Sequence, residues 1–104
     1  MIIAWNGQLE KDPMHVLQEA GYHSFLDPNT GKTSYIFRLG REYYPRMHVY
    51  INKYDVSGGE IDIHLDQKQA SYEGQTAHAG EYDGPVVQEE AERLQRWIVH
   101  YLVR

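Results

Sequence analysis

The sequence predicts an α+β fold: a two-layer sandwich in which a four-stranded antiparallel meander carries a short N-terminal and a long C-terminal helix on one face. Three observations predict it. Apolar and polar residues alternate through 34–39, 47–52 and 60–66, the period of a strand with one covered face. Short connections bearing glycine or proline join these runs, which favours antiparallel neighbours. Residues 85–104 instead place Val87, Ala91, Leu94, Ile98 and Tyr101 at helical spacing, with Trp97 widening the stripe.

Each element follows in order. Residues 1–11 are the least defined: Ile2 to Trp5 reads as a short edge strand or a flap over the core, ended by the turn signal Asn6-Gly7. Asp12-Pro13 starts the short helix, with Asp at the N-cap and Pro at the first helical position; Met14, Leu17 and Ala20 form its stripe and Gly21 its stop. Tyr22–Leu26 and Lys32–Leu39 are two arms around the turn Asp27-Pro28-Asn29-Thr30-Gly31. Turns at Gly40–Pro45 and Lys53–Gly59 then separate the remaining strands. Phe37, Met47, Val49, Ile51, Ile61, Ile63 and Leu65 share the face that both helices cover, which leaves the opposite face open or covered only by loops. Residues 67–84 show no period and read as a long irregular loop. Gly84-Pro85 opens the last helix, where Glu89, Glu90 and Glu92 lie near the start and Arg96, His100 and Arg104 toward the end, an order that suits the helix dipole.

Composition narrows the functional classes. A chain of 104 residues with 41% hydrophobic and 24% charged residues reads as one folded domain, 1–104. The lack of cysteine excludes disulfides, thiolate metal sites and cysteine nucleophiles within this sequence. A net charge of −5 disfavours general nucleic-acid coating. No stretch approaches the roughly 18 apolar residues that span a bilayer, and Met1–Trp5 lacks the cationic flank of a signal peptide, so no membrane association and a cytoplasmic location are expected. The chain also lacks a P-loop, a dinucleotide-binding glycine fingerprint, a nucleophile elbow and an EF-hand loop.

Strand register carries the functional reading. A hairpin closing symmetrically over 53–59 sets Tyr50 opposite Asp62, His48 opposite His64 and Arg46 opposite Asp66. A symmetric turn over 40–46 sets Arg38 beside His48. Arg38, His48 and His64 then form a row on the face away from the helices, and the 67–84 loop, which leaves from the His64 strand, can fold back over it.

Three chemistries suit this row. The first is a divalent transition-metal or small acidic-ligand site, with Zn, Ni or Mn held by His48, His64, Asp66, His78 and Glu81 and no organic cofactor, open to water and hydrolysis; Asp62 or Tyr50 would orient an imidazole. The second is metal-independent cleavage of RNA or another phosphodiester, in which His48 and His64 act as base and acid, Arg38, Arg46 or Lys68 stabilises the charge and Tyr72 stacks or donates. The third is a non-catalytic interaction module, with Val99 and Val103 off the main stripe of the last helix marking a homodimer surface.

The run Met14-His15-Val16-Leu17-Gln18-Glu19-Ala20-Gly21-Tyr22, followed by strands that carry His48-Val49-Tyr50, resembles the layout of small HicA-type ribonuclease toxins. The resemblance covers about a third of the chain and implies ribonuclease activity resting on His48. Arg46-Met47 precedes His48 where that family has Gly-Ser, and the long loop has no counterpart there.

Overall fold

The computed structural model describes residues 1–67, 80–81 and 84–104, the pair 80–81 by backbone alone. Its elements are β1 (Ile2–Asn6), α1 (Pro13–Glu19), β2 (His23–Leu26), β3 (Thr33–Arg38), β4 (Arg46–Asp55), β5 (Gly58–Asp66), β6 (Gly80–Glu81) and α2 (Pro85–Tyr101). A five-stranded antiparallel sheet runs in the order β1-β5-β4-β3-β2, and the short β6 pairs β5 beyond the end of β1. The meander β2 to β5 matches the four strands read from the sequence. The added strand is β1, which settles its ambiguity: Ile2 to Asn6 pair with Asp62 to Gly58.

The core lies between this sheet and both helices. Ile3, Trp5, Tyr35, Met47, Val49, Ile61, Ile63 and Leu65 meet Val16, Leu17 and Ala20 of the α1 region and Val87, Ala91, Leu94 and Ile98 of α2. Full burial of such an aliphatic side chain contributes about 1.5–3 kcal/mol, so these residues fix which sheet face the helices cover.

Helix α1 ends as its sequence dictates. Gly21 takes φ +107°, its N–H donates to the Gln18 carbonyl, and the Tyr22 N–H donates to Leu17, which is a Schellman closure with the buried Tyr22 packed behind it. At the other end Asp12 occupies the N-cap, but its side chain makes no capping hydrogen bond. Helix α2 departs from the dipole reading. Its first turn holds no acid and its last turn only His100, while Arg104 lies beyond its end. A macrodipole acts mainly over the terminal turns. Glu90 serves another purpose, accepting from Tyr22 Oη at 2.5 Å and from Arg93 at 2.6 and 2.8 Å.

The β4–β5 hairpin is tighter than the sequence suggests. Asp55 pairs with Gly58, leaving Val56-Ser57 as the turn, and Asp55 Oδ1 accepts from the Ser57 N–H at 2.7 Å and Ser57 Oγ at 2.5 Å. From that tip the ladder runs Lys53 to Glu60, then skips Asn52, then pairs Ile51 with Ile61. Asn52 is therefore a β-bulge. Below it the expected partners hold: Tyr50 with Asp62, His48 with His64, Arg46 with Asp66.

Where β1 crosses the hairpin, Trp5 pairs with Gly59. A Cβ at Gly59 would stand 2.3 Å from the indole ring and 2.8 Å from the Lys53 carbonyl. Gly59→Ala is therefore expected to lower the unfolding free energy by about 1–3 kcal/mol, read from urea melts, because the ring has to leave its place on the strand. An unchanged melt would mean that Trp5 moves aside freely.

Candidate functional site

The face away from the helices is polar, as the alternation requires, but it is not open. Ser34, Arg46, His48 and His64 are all buried, at 1%, 5%, 7% and 9% exposure. Aromatic rings account for part of this cover. Tyr50 stacks on His48 with centroids 4.7 Å apart and on His64 at 5.9 Å, and Phe25 meets His48 edge-on at 6.4 Å. The Arg46 guanidinium lies 4.4 Å from the Tyr43 ring centroid, 4.9 Å from Tyr44 and 5.3 Å from Phe25. These contacts supply favourable cation–π energy to a buried cation.

Asp66 is the hub. Its Oδ2 accepts from Arg46 Nε at 3.1 Å and lies 2.8 Å from His48 Nδ1, while Oδ1 lies 2.8 Å from His64 Nε2. Burial pushes the Asp66 carboxyl up, but hydrogen bonds from His48 and His64, and then their charge, outweigh it and hold the group well below the usual carboxylate range. The sign follows. A folded-state value below the unfolded one, about 3.9, gives stability that is fully present above that value and is lost as the pH falls toward the folded one. Urea midpoints from pH 6 down to pH 2.5 should therefore fall more steeply for wild type than for Asp66→Asn. Parallel curves would mean that Asp66 gains nothing from its partners.

His48 is held at both nitrogens, since Nε2 lies 2.6 Å from Ser34 Oγ, and that hydroxyl donates in turn to the Phe25 carbonyl at 3.5 Å. The chain Ser34–His48–Asp66 has the connectivity of a serine-hydrolase triad. With Ser34 at 1% exposure inside a central strand, an external acyl group has no path to its hydroxyl, so Ser34 acts by fixing the imidazole.

Some sequence-derived candidates meet and others do not. His48, His64 and Asp66 form a cluster that can hold a metal ion, with one ligand atom from each and all of these within 4.8 Å of one another. Arg38 does not sit beside His48. The connection is centred one residue earlier than expected, with the Leu39 N–H on the Pro45 carbonyl across a cis Tyr44-Pro45 bond, so Arg38 pairs with Arg46 and Ile36 with His48. This even slip keeps every side chain on its expected face. The Tyr43 ring lies against both guanidinium groups, 5.2 Å from Arg38 and 4.4 Å from Arg46. Glu81 pairs through its backbone with Leu65, and Gly80 with Asp66. Lys68, Tyr72 and His78 lie outside the described residues. Of the residues proposed to orient an imidazole, Tyr50 stacks on both rings, whereas Asp62 Oδ1 instead accepts from the Met1 ammonium at 3.2 Å.

Sequence reasoning missed Ser34. It alternates correctly onto the polar face, yet only the true register of β3 brings it within reach of His48.

No protein-family model, curated protein or solved structure matches the chain. Among the described residues, no helix is long and apolar enough to cross a membrane.

Proposed function

We propose that this protein binds one divalent transition-metal ion, zinc, nickel or manganese, through His48, His64 and Asp66. The observation that carries the reading is the convergence of two imidazole nitrogens and a carboxylate oxygen within 4.8 Å, supplied by two adjacent strands. An ion bound at about 2.0–2.2 Å needs ligand atoms about 3.0–3.5 Å apart, a small adjustment from this arrangement. His48 would ligate through Nδ1, and Ser34 Oγ at 2.6 Å would take the Nε2 proton. Such a partner holds the tautomer and the ring plane of a ligating histidine.

Three protein ligands leave a coordination position for water or a substrate atom, which is the pattern of catalytic rather than structural ions. A bound ion there would lower the pKa of its water and supply a nucleophile for hydrolysis. The RNA-cleaving alternative draws less support, because Arg38 stands away from His48.

Elemental analysis of purified protein, followed by zinc and nickel titrations, tests the reading. One ion per chain is expected, with a melting temperature lowered by chelator. His64→Ala should abolish stoichiometric binding, and Ser34→Ala should weaken it about 10-fold, the lower end of what such supporting contacts cost. Wild-type protein that takes up no ion at micromolar concentration would end the proposal.

A further inference from the structure

We infer that the outer edge of β1 is an interface for a second copy of this chain, with β1 pairing antiparallel to β1 about Ala4, so that the sheets of two subunits join into one. The inference stands apart from the metal reading.

The hydrogen-bond pattern defines the edge. In an antiparallel ladder, residues whose N–H and C=O point to the partner strand alternate with residues whose groups point away. Met1 and Ile63 exchange both bonds, at 2.6 and 2.8 Å, and the Gly7 N–H donates to the Ser57 carbonyl at 2.7 Å. The register between them is unbroken from Ile2–Asp62 to Asn6–Gly58, so the odd-numbered residues face β5. Ile2, Ala4 and Asn6 therefore turn their N–H and C=O groups outward, and their side chains are exposed. β1 ends the strand order, and among the described residues no strand pairs with that outer side.

Sheet edges are ordinarily guarded by charge, proline or a bulge. β1 has none of these: no charged side chain and no proline occurs from Met1 to Gln8, and its ladder with β5 has no register shift. The other edge, β2, is four residues long and runs into Asp27-Pro28. Exposed apolar side chains also flank β1. Ile2 lies on the strand itself, and Val103 donates its N–H to the Gln8 carbonyl just past the strand.

These features select a second copy as the occupant. The strand offers a foreign chain no charge to recognise, but it is complementary to itself. A two-fold axis at Ala4 sets Ala4 against Ala4 of the partner subunit and Ile2 against Asn6 of the partner subunit, so that each outward donor meets an outward acceptor. The two methyl groups at the axis leave room for the backbones to approach. Directly paired residues point to the same face, so both His48, His64 and Asp66 clusters come to lie on one side of the joined sheet and the helices on the other.

Sedimentation equilibrium and amide hydrogen exchange test the inference. Wild type should pass from monomer to dimer as its concentration rises through the micromolar range, and the amides of Ile2, Ala4 and Asn6 should exchange freely in the monomer and become protected in the dimer. Ala4→Lys sets like charges at the axis, where opposed Cβ atoms stand about 4.5–5.5 Å apart. It should weaken association at least about tenfold and leave the urea melt of the dilute protein unchanged. Ala4→Glu should do the same, and an equimolar mixture of the two variants should dimerise again. Ser24→Lys, on the β2 edge, should associate like wild type. The inference is overturned by a wild type that stays monomeric at millimolar concentration, by amides of Ile2, Ala4 and Asn6 that are already protected in the monomer or remain unprotected in the dimer, by association unchanged in Ala4→Lys or lost in Ser24→Lys, or by a mixture that stays dispersed. Should Ala4→Glu not fold beside Glu60, its neighbour across the ladder, Ala4→Lys and the amide exchange of wild type decide without it.

Discussion

Asp66→Ala is expected to cost about 3–5 kcal/mol of folding stability, the range seen when one partner of a buried ion pair is removed. The cause is less the lost attraction than what remains. Arg46 has 6% of its side chain exposed, and among the described residues Asp66 is the carboxylate hydrogen-bonded to it, at 3.1 Å. Truncation would leave a buried guanidinium among three aromatic rings, and would also free His48 Nδ1 and His64 Nε2 from an oxygen 2.8 Å away. A domain of this length commands only about 5–15 kcal/mol in total, so the variant should stand near the edge of folding. Urea denaturation in the presence of chelator, which removes any contribution from metal, measures the loss. The paired substitution Arg46→Met with Asp66→Leu should recover most of it, because replacing both charges with apolar groups of similar size is often neutral. A double-mutant cycle then gives the coupling of the pair. A cost below about 1 kcal/mol for Asp66→Ala, the value of a surface pair, would mean that water reaches Arg46 freely.

That buried pair also marks where the sequence stopped being readable. A period of two tells which face a residue occupies, and for β3 to β5 it placed Met47, Val49, Ile61 and Ile63 on the covered side and Arg46, His48, His64 and Asp66 on the other. It says nothing of what lies above the second face. Whether a polar face is wet depends on long side chains from elsewhere, here Phe25 of β2, Tyr43 and Tyr44 of the β3–β4 connection and Tyr50 of β4 itself. A tyrosine-rich composition hints at such cover without assigning any one ring. β1 was ambiguous for a related reason: a short apolar run becomes an edge strand only when a partner edge exists, and that edge belongs to β5, far along the chain. Ser34 lay hidden behind a turn whose centre differs by one residue from the symmetric guess. A symmetric hairpin over 53–59 predicts the pairing of His48 with His64, yet the protein does not have that hairpin. The true turn, Val56-Ser57, displaces the ladder by one, and the bulge at Asn52 restores it.

Because that restoration is the work of a single residue, deleting Asn52 should leave the fold and the imidazole pair in place, whereas deleting Val49 should abolish both. Without Asn52, Lys53 adjoins Ile51, and their partners Glu60 and Ile61 already adjoin on β5, so the ladder closes straight and Arg46–Ile51 keep their faces. Without Val49 two pairings compete. If the bulge stays, the segment Arg46–His48 changes faces, because a one-residue shift reverses every side chain. Met47, fully buried, then leaves the core, and His48 enters it without Asp66, which stays on the polar face of β5. If the bulge closes, His48 stays opposite His64, but Asn52 and Tyr50 take the places of Ile51 and Val49 on the covered face. Either way the burial of Val49 is lost, about 1.5–3 kcal/mol, and a polar group is forced against the core, in a domain with about 5–15 kcal/mol in total. Asn52→Ala separates residue count from side-chain chemistry. It keeps the bulge and removes only an exposed 2.9 Å hydrogen bond to Glu60, so it should cost no more than about 1 kcal/mol and leave zinc or nickel binding intact. Far-UV circular dichroism, an amide correlation spectrum and a urea melt distinguish the variants. An Asn52 deletion that fails to fold, or a Val49 deletion that melts cooperatively and binds zinc or nickel like wild type, would show that strand register does not set the face on which the imidazoles meet, and the account of how this site is built would have to begin elsewhere.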